Sequence, residues 1–211
     1  MADYRSSVRY LKAADPVLAK VIGAVGPCRI QLRGDGTHFQ ALARSIIYQQ
    51  LSGKAAATIH SRFNALCPGG APTPEAVLAA SDAALRGAGL SRQKTGYLRD
   101  LSLKVADGTL PLDHVHTLDD EDLIAHLVQV KGIGRWTAQM FLMFRLGRRN
   151  VLPDLDLGIQ NAIRRAYRMR KRPTPKQVIK IGAKWSPHST VACWYLWRSL
   201  DTGDGQLGDA D

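Results

Sequence analysis

Residues 123–165 read LIAHLVQVKGIGRWTAQMFLMFRLGRRNVLPDLDLGIQNAIRR, and the break inside this stretch decides the fold. Leu123, Leu127 and Val130 recur at helical spacing, so the run as far as Gln129 is the end of an amphipathic helix. Lys131-Gly132-Ile133-Gly134 interrupts it, because two glycines at spacing two permit backbone angles and close approaches that side chains block. An apolar helix restarts at once in Trp136-Thr137-Ala138-Gln139-Met140. The unit is helix, tight hairpin, helix. A second polar island, Pro153-Asp154-Leu155-Asp156, precedes another helical run from Leu157 to Tyr167.

Outward from this block, helix signals dominate. Expected helices cover Ser6–Leu11, Pro16–Val25, Phe39–Gln50, Ala55–Leu66 and Ser91 to about Ala106, with Thr73-Pro74-Glu75 and Thr174-Pro175-Lys176-Gln177 as capped starts. Thr117 with Asp119, Asp120 and Glu121 caps the helix entering the hairpin, and Ser186-Pro187 opens a last helix carrying Trp194, Tyr195 and Trp197. Arg29–Arg33 is read as a short extended piece. The tail 201–211, with four acids and no base, is read as acidic and flexible.

The formal charge is +11, from 29 bases and 18 acids. Because the tail is acidic, the excess belongs to the first 200 residues, and a polyanion is the partner class it points to. A solvated basic surface would have the same composition. No run is long and apolar enough to cross a membrane, and Met1–Leu11 is no secretory leader, so a cytoplasmic protein without membrane partners is expected. Cys28, Cys67 and Cys193 are widely spaced, which argues against a disulfide framework or a zinc site.

Three features carry candidate chemistry, each beside a plainer reading. The hairpin Lys131, Gly132, Ile133, Gly134, Arg135 exposes amides near a helix start and can hold a phosphate; such turns are also common as simple connections. Asp156 is suited to cap the helix that follows, or to stabilise positive charge developing on a sugar while orienting a water. In Tyr48-Gln49-Gln50-Leu51-Ser52, Leu51 is either a core residue or a wedge offered to a ligand together with Gln50.

Together LVQVKGIGRWTAQMFLMF, VLPDLDLGIQNAIRR, RSIIYQQLS (44–52) and GLSRQK (89–94) resemble the helix-hairpin-helix Gly/Pro-Asp superfamily of DNA glycosylases, within it the DNA-3-methyladenine glycosylase II branch. The resemblance covers most of residues 35–200. It implies an all-α, two-lobed core with an interlobe active cleft: 1–34 and 111–200 packing as one lobe, 35–110 as a central lobe with the wedge loop, and 123–150 as the helix-hairpin-helix. It also implies that Asp156 is catalytic, that Leu51 and Gln50 enter DNA, and that Trp136, Trp197 and, less closely matched, Tyr48 line a base pocket. Trp185 and Trp194 are read as core. The hairpin would hold phosphate, with a structural monovalent cation on the main-chain carbonyls of Val128, Val130 and Ile133 and no required cofactor.

The implied activity is monofunctional hydrolysis of 3-methyladenine or 7-methylguanine from duplex DNA by base flipping, performed by a monomer on chromosomal DNA. Bifunctional members carry a lysine where this chain has Trp136, and no lysine follows through Arg149, which disfavours strand cleavage through a Schiff base. The four clustered cysteines of iron-sulfur members are absent. The chain departs from the branch at Met140, Leu157 and Ser189, which stand where aromatics or an arginine are frequent. Two alternatives stay open: a non-catalytic helix-hairpin-helix DNA-binding module, and a glycosylase for 1-methyladenine, ethenoadenine, hypoxanthine or uracil.

Overall fold

Short polar side chains set most of the helix starts. In the computed structural model, which describes residues 4–201, the helices are α1 (Arg5–Ala14), α2 (Pro16–Val25), α3 (His38–Tyr48), α4 (Gly53–Ala65), α5 (Pro74–Ala79), α6 (Asp82–Gly87), α7 (Arg92–Ala106), α8 (Asp120–Leu127), α9 (Arg135–Phe144), α10 (Leu157–Ala166), α11 (Pro175–Gly182) and α12 (Ser189–Asp201). Thr37 and Thr174 close capping boxes with Gln40 and Gln177, satisfying amides that a helix start leaves orphaned. Asp119, not Thr117, caps α8 by accepting from the Asp122 amide at 2.9 Å; the Thr117 hydroxyl donates to the His114 carbonyl instead.

No strand forms among the described residues. The expected extended piece at Arg29–Arg33 has no ladder, and the Arg33 amide donates to the Phe144 carbonyl at 2.8 Å. The last helix begins at Ser189, after a turn in which the His188 amide donates to the Trp185 carbonyl. No described helix is long and apolar enough to span a membrane. Of the expected tail, only Asp201 lies within the described residues; the rest of 201–211 lies outside them.

Among the described residues, 34–141 form one unit, and 4–33 with 142–201 form the other. The segment 111–141, grouped by the sequence reading with the termini, therefore belongs with 34–110, and the boundary falls inside α9 rather than near residue 110. The physical reason is that the hairpin is tied to the loop after α3 and to α7 by side chains from both.

In the unit 34–141, α7 packs on α3 and α5, and Leu42, Ile46, Ile47, Phe63, Leu98 and Leu101 are fully buried. Each such side chain contributes roughly 1.5–3 kcal/mol by leaving water. In the other unit α12 packs on α2 and α10, around Leu18, Ile163, Val191 and Tyr195. The expected core tryptophans are there: Trp185 and Trp194 are buried. So is Asp15, at 0% exposure, which takes hydrogen bonds from the Trp185 indole (2.8 Å), the Leu18 amide (3.2 Å) and the Tyr167 hydroxyl, and an ion pair from Lys184 (3.2 Å).

Candidate functional site

Asp156 is the residue before α10, and its Oδ1 accepts the Ile159 amide at 2.6 Å, so the cap expected from sequence forms. The same oxygen accepts the Trp197 indole N–H at 3.0 Å. The two donors fix the carboxylate's rotation, and the second of them brings a half-buried indole against it. Trp197 is also 6.1 Å, centroid to centroid, from Phe144. Upstream, the Gln160 side chain donates to the Asp154 carbonyl at 2.9 Å, closing the Pro153-Asp154 turn over the first turn of α10.

Gly158 leaves little room here for a side chain. A Cβ at this position would lie 3.0 Å from Asp156 Oδ1 and from Trp197 Cδ1, and 3.1 Å from Trp197 Nε1. The glycine therefore admits the indole to the carboxylate. Leu157, one of the departures from the branch, is exposed at 59%. Ser189, another, is buried and donates to the Asn150 side chain at 2.8 Å, so it serves the packing of α12.

In the unit 34–141 the hairpin and the loop after α3 form one hydrogen-bonded assembly. Gln49 donates its side-chain amide to the Gly132 carbonyl at 2.8 Å. The Lys94 ammonium, in the first turn of α7, donates to the carbonyls of Ile47 (2.6 Å) and Gln49 (2.7 Å), and its partial burial lowers its proton affinity. The next residues turn outward: Gln50 is exposed with φ 57°, and Leu51 is 39% exposed rather than packed in a core.

The hairpin glycines differ in what they do. Gly132 has φ 84°, and a Cβ there would run into the Tyr97 ring, so both backbone angle and space exclude a side chain. A Cβ on Gly134 would meet nothing within 4 Å. The Lys131 amide is taken by Asp100 Oδ2 at 2.8 Å, and the Ile133 amide by the Val130 carbonyl at 3.0 Å. The amides of Gly132 and Gly134 meet no acceptor among the described residues, and they remain the candidates for an anion.

The flanking cations are partly committed. Arg135 forms a two-pronged pair with Glu121 at 2.6 and 2.8 Å, and the Lys131 ammonium lies 4.0 Å from Asp100. Of the three carbonyls considered for a cation, that of Val130 accepts the Ile133 amide, while those of Val128 and Ile133 accept no main-chain hydrogen bond among the described residues. No cluster of three His, Cys, Asp or Glu side chains suited to a metal occurs there either.

The aromatic candidates separate. Trp136, in the first turn of α9, is 50% exposed. Tyr48 has the Arg44 guanidinium 3.9 Å above its ring and His60 edge-on at 6.0 Å, so one of its faces is already covered by a cation. Asp156 and Trp197 belong to one unit; Tyr48, Gln50, Leu51, Trp136 and the hairpin belong to the other.

Sequence reasoning missed the supporting residues. Gln49 rather than Gln50 ties the loop to the hairpin, and Lys94, Tyr97 and Asp100 from α7 hold both. The one available signal was the GLSRQK stretch, which was singled out as a motif but not given a role.

Comparison with known proteins bears on this geometry. The model described as HhH-GPD superfamily base excision DNA repair protein matches residues 43–188. The chain is 35% identical over 189 residues to DNA-3-methyladenine glycosylase 1 of Schizosaccharomyces pombe, covering 89% of this chain and 82% of that protein. Among solved structures, an S. pombe 3-methyladenine DNA glycosylase in complex with abasic DNA superposes with a TM-score of 0.80 at 34% identity, covering 92% of this chain and 95% of that one. A DNA-3-methyladenine glycosidase from Bacillus halodurans does so with a TM-score of 0.82 at 36% identity, covering 93% and 89%.

Proposed function

The chain belongs to the HhH-GPD superfamily of base excision DNA repair proteins, and from that premise we propose that it hydrolyses the N-glycosidic bond of alkylated purines in duplex DNA. The observation that carries this reading is the convergence of the Ile159 amide and the Trp197 indole on Asp156 Oδ1. A non-catalytic cap needs only the first of these. The second places a carboxylate beside an electron-rich ring, a pairing suited to a cationic alkylated base and the positive sugar it leaves behind.

In this reading Asp156 stabilises the oxocarbenium-like sugar and orients the attacking water. Trp197, beside Asp156, stacks on the extruded base; in the other unit Trp136 is the exposed aromatic available to a base, with Tyr48 at most an outer wall because Arg44 occupies one face of its ring. Leu51, with Gln50, fills the gap left in the duplex, and the amides of Gly132 and Gly134 hold a backbone phosphate. Arg135 adds only a residual attraction, since Glu121 pairs with it, whereas the exposed Lys131 ammonium, 4.0 Å from an Asp100 that Lys104 already holds, adds its charge to the hairpin. A monovalent cation on the carbonyls of Val128, Val130 and Ile133 would brace the hairpin; main-chain oxygens are suitable donors for such an ion. The protein works as a monomer on chromosomal DNA. Trp136 in place of a lysine leaves no amine at that position to attack the sugar, so the phosphodiester backbone stays intact.

The test is a base-release assay over a lesion panel that includes 3-methyladenine, 7-methylguanine, 1-methyladenine, ethenoadenine, hypoxanthine and uracil, run beside a strand-nicking assay. Release of alkylated purines without nicking is expected. Undiminished release by Asp156→Ala would overturn the catalytic assignment, and salt-dependent DNA binding with no base freed would make the protein a binding module.

A further inference from the structure

Between Leu157 and Leu200 the chain holds ten lysines and arginines and no aspartate or glutamate. Two of the ten have acidic partners: Lys184 pairs with the buried Asp15 at 3.2 Å, and Arg198 with Asp201 at 3.3 Å. The other eight are exposed and pair with no carboxylate among the described residues. Six of them, Arg164, Arg165, Arg168, Arg170, Lys171 and Arg172, occupy the end of α10 and the loop after it. Lys176 and Lys180 lie one turn apart on α11, which packs against α10.

Local stability explains only part of this. Arg164 and Arg165 sit in the last turn of α10, where a cation complements the helix dipole. Lys176 sits in the first turn of α11, where a cation opposes the dipole and no acid offsets it, and Lys176 and Lys180 repel each other at spacing four. Arg168 takes φ 53° where the chain leaves α10, a conformation that glycine or asparagine adopts more easily. The turn is closed by the Met169 amide on the Arg164 carbonyl at 2.9 Å. A surface kept free of acids at this cost is accounted for by an anionic partner.

Asp156 caps one end of α10, and the arginine-rich segment leaves the other, roughly 15 Å away along a ten-residue rod. Phosphates touching this segment are therefore distinct from those flanking the sugar at Asp156. The geometry points to a second, sequence-independent docking surface for the phosphate backbone of double-stranded DNA, formed by Arg164–Arg172 with Lys176 and Lys180. DNA is chosen over an acidic protein or a lipid surface because arginine forks suit phosphate oxygens and because the proposed function, on which this choice of polyanion rests, already brings a duplex to the same unit. The phosphates come from a flank of the lesion-bearing duplex or from a second segment.

The test compares the triple variant Arg170→Gln/Lys171→Gln/Arg172→Gln with a control of equal charge loss, Arg9→Gln/Lys12→Gln/Lys20→Gln, in exposed positions of α1 and α2. Binding to a long undamaged duplex is followed by anisotropy across salt concentrations. The patch variant is expected to lose about 2–3 units of the slope of log K against log salt, and about tenfold or more in affinity at low salt, with the control near wild type. Single-turnover base release from a short lesion duplex should match wild type in both. A loss of slope on long but not short duplexes identifies a flank; a loss of similar size on both identifies a second segment.

Equal slopes for the patch and control variants would overturn the surface while leaving base release standing. A patch variant that keeps its DNA slope but no longer binds phosphatidylserine vesicles or a polyglutamate peptide would overturn it in favour of those partners. If wild type frees no base while the slope difference persists, the proposed function fails and the docking surface stands.

Discussion

Gln49 donates its side-chain amide to the carbonyl of Gly132 across 83 positions of sequence, joining the loop that presents Leu51 to the hairpin that presents its glycine amides. Lys94 grips the same loop from below through two carbonyls. The Leu51 loop and the hairpin are thus parts of one assembly. Gln49→Ala is expected to cost about 1 kcal/mol, and Lys94→Met, which also strands two carbonyls, about 2–3 kcal/mol. Native-state hydrogen exchange checks this: amides from Gln50 to Ser52 should exchange faster in both variants, while those within α12 stay protected.

Asp156→Asn retains an oxygen to accept the Ile159 amide and removes the charge. Base release is expected to fall by about 10²–10³-fold or more, with thermal stability nearly unchanged. Asp156→Ala also loses the cap, for a further cost of about 1 kcal/mol in urea denaturation. Rates and denaturation curves together separate the two roles of the side chain. Equal rates for Asp156→Asn and wild type would remove Asp156 from the chemistry.

Gly158→Ala places a methyl against both Asp156 Oδ1 and the Trp197 ring, at about the limit of what packing tolerates. The indole and the carboxylate are expected to shift apart by a few tenths of an ångström, which weakens the hydrogen bond between them. Base release should drop about tenfold or more, as expected for about 1.4 kcal/mol of lost orientation. Trp197 emission should shift and binding to undamaged DNA should stay the same. An unaltered rate with an altered spectrum would show that the Trp197 contact is dispensable.

Asp15 sets an acid limit on stability. Burial opposes its ionisation, but hydrogen bonds from Tyr167, Trp185 and the Leu18 amide, together with Lys184, outweigh burial and hold its carboxyl below the usual aspartate range. Its contribution is therefore complete above the unfolded aspartate value, near about 3.9, and disappears as pH falls through the lower folded value. Asp15→Asn should be less stable than wild type at pH 7, and the difference should narrow below about pH 4. Urea unfolding at both pH values measures it; a gap that widens on acidification would contradict the assignment.

Several features were legible from sequence because they are local. Residues three or four apart decide whether a helix buries a stripe, and this placed α3, α7, α8 and α10 to within a few residues. Caps such as Thr73, Thr174 and Asp156 were readable for the same reason, since donor and acceptor lie three positions apart. The Gly-x-Gly interruption and the island at Pro153–Asp156 marked the candidate site residues. Charge totals pointed to a polyanion, but not to the unpaired surface after α10, because pairing is a property of neighbours in space.

The sequence by itself determined that this is an all-helical chain with a hairpin and a capping aspartate, since each follows from short-range periodicity and backbone freedom, whereas the outward turn of Leu51 was left open between core and surface. Only the tertiary structure decided who supports whom. The grouping of 111–141 with 34–110 follows from Gln49, Tyr97 and Asp100 reaching the hairpin, and the pairing of Asp156 with Trp197 crosses 41 positions. Such contacts depend on which helix faces pack together, and that choice is made by the summed burial of the whole core rather than by any local pattern.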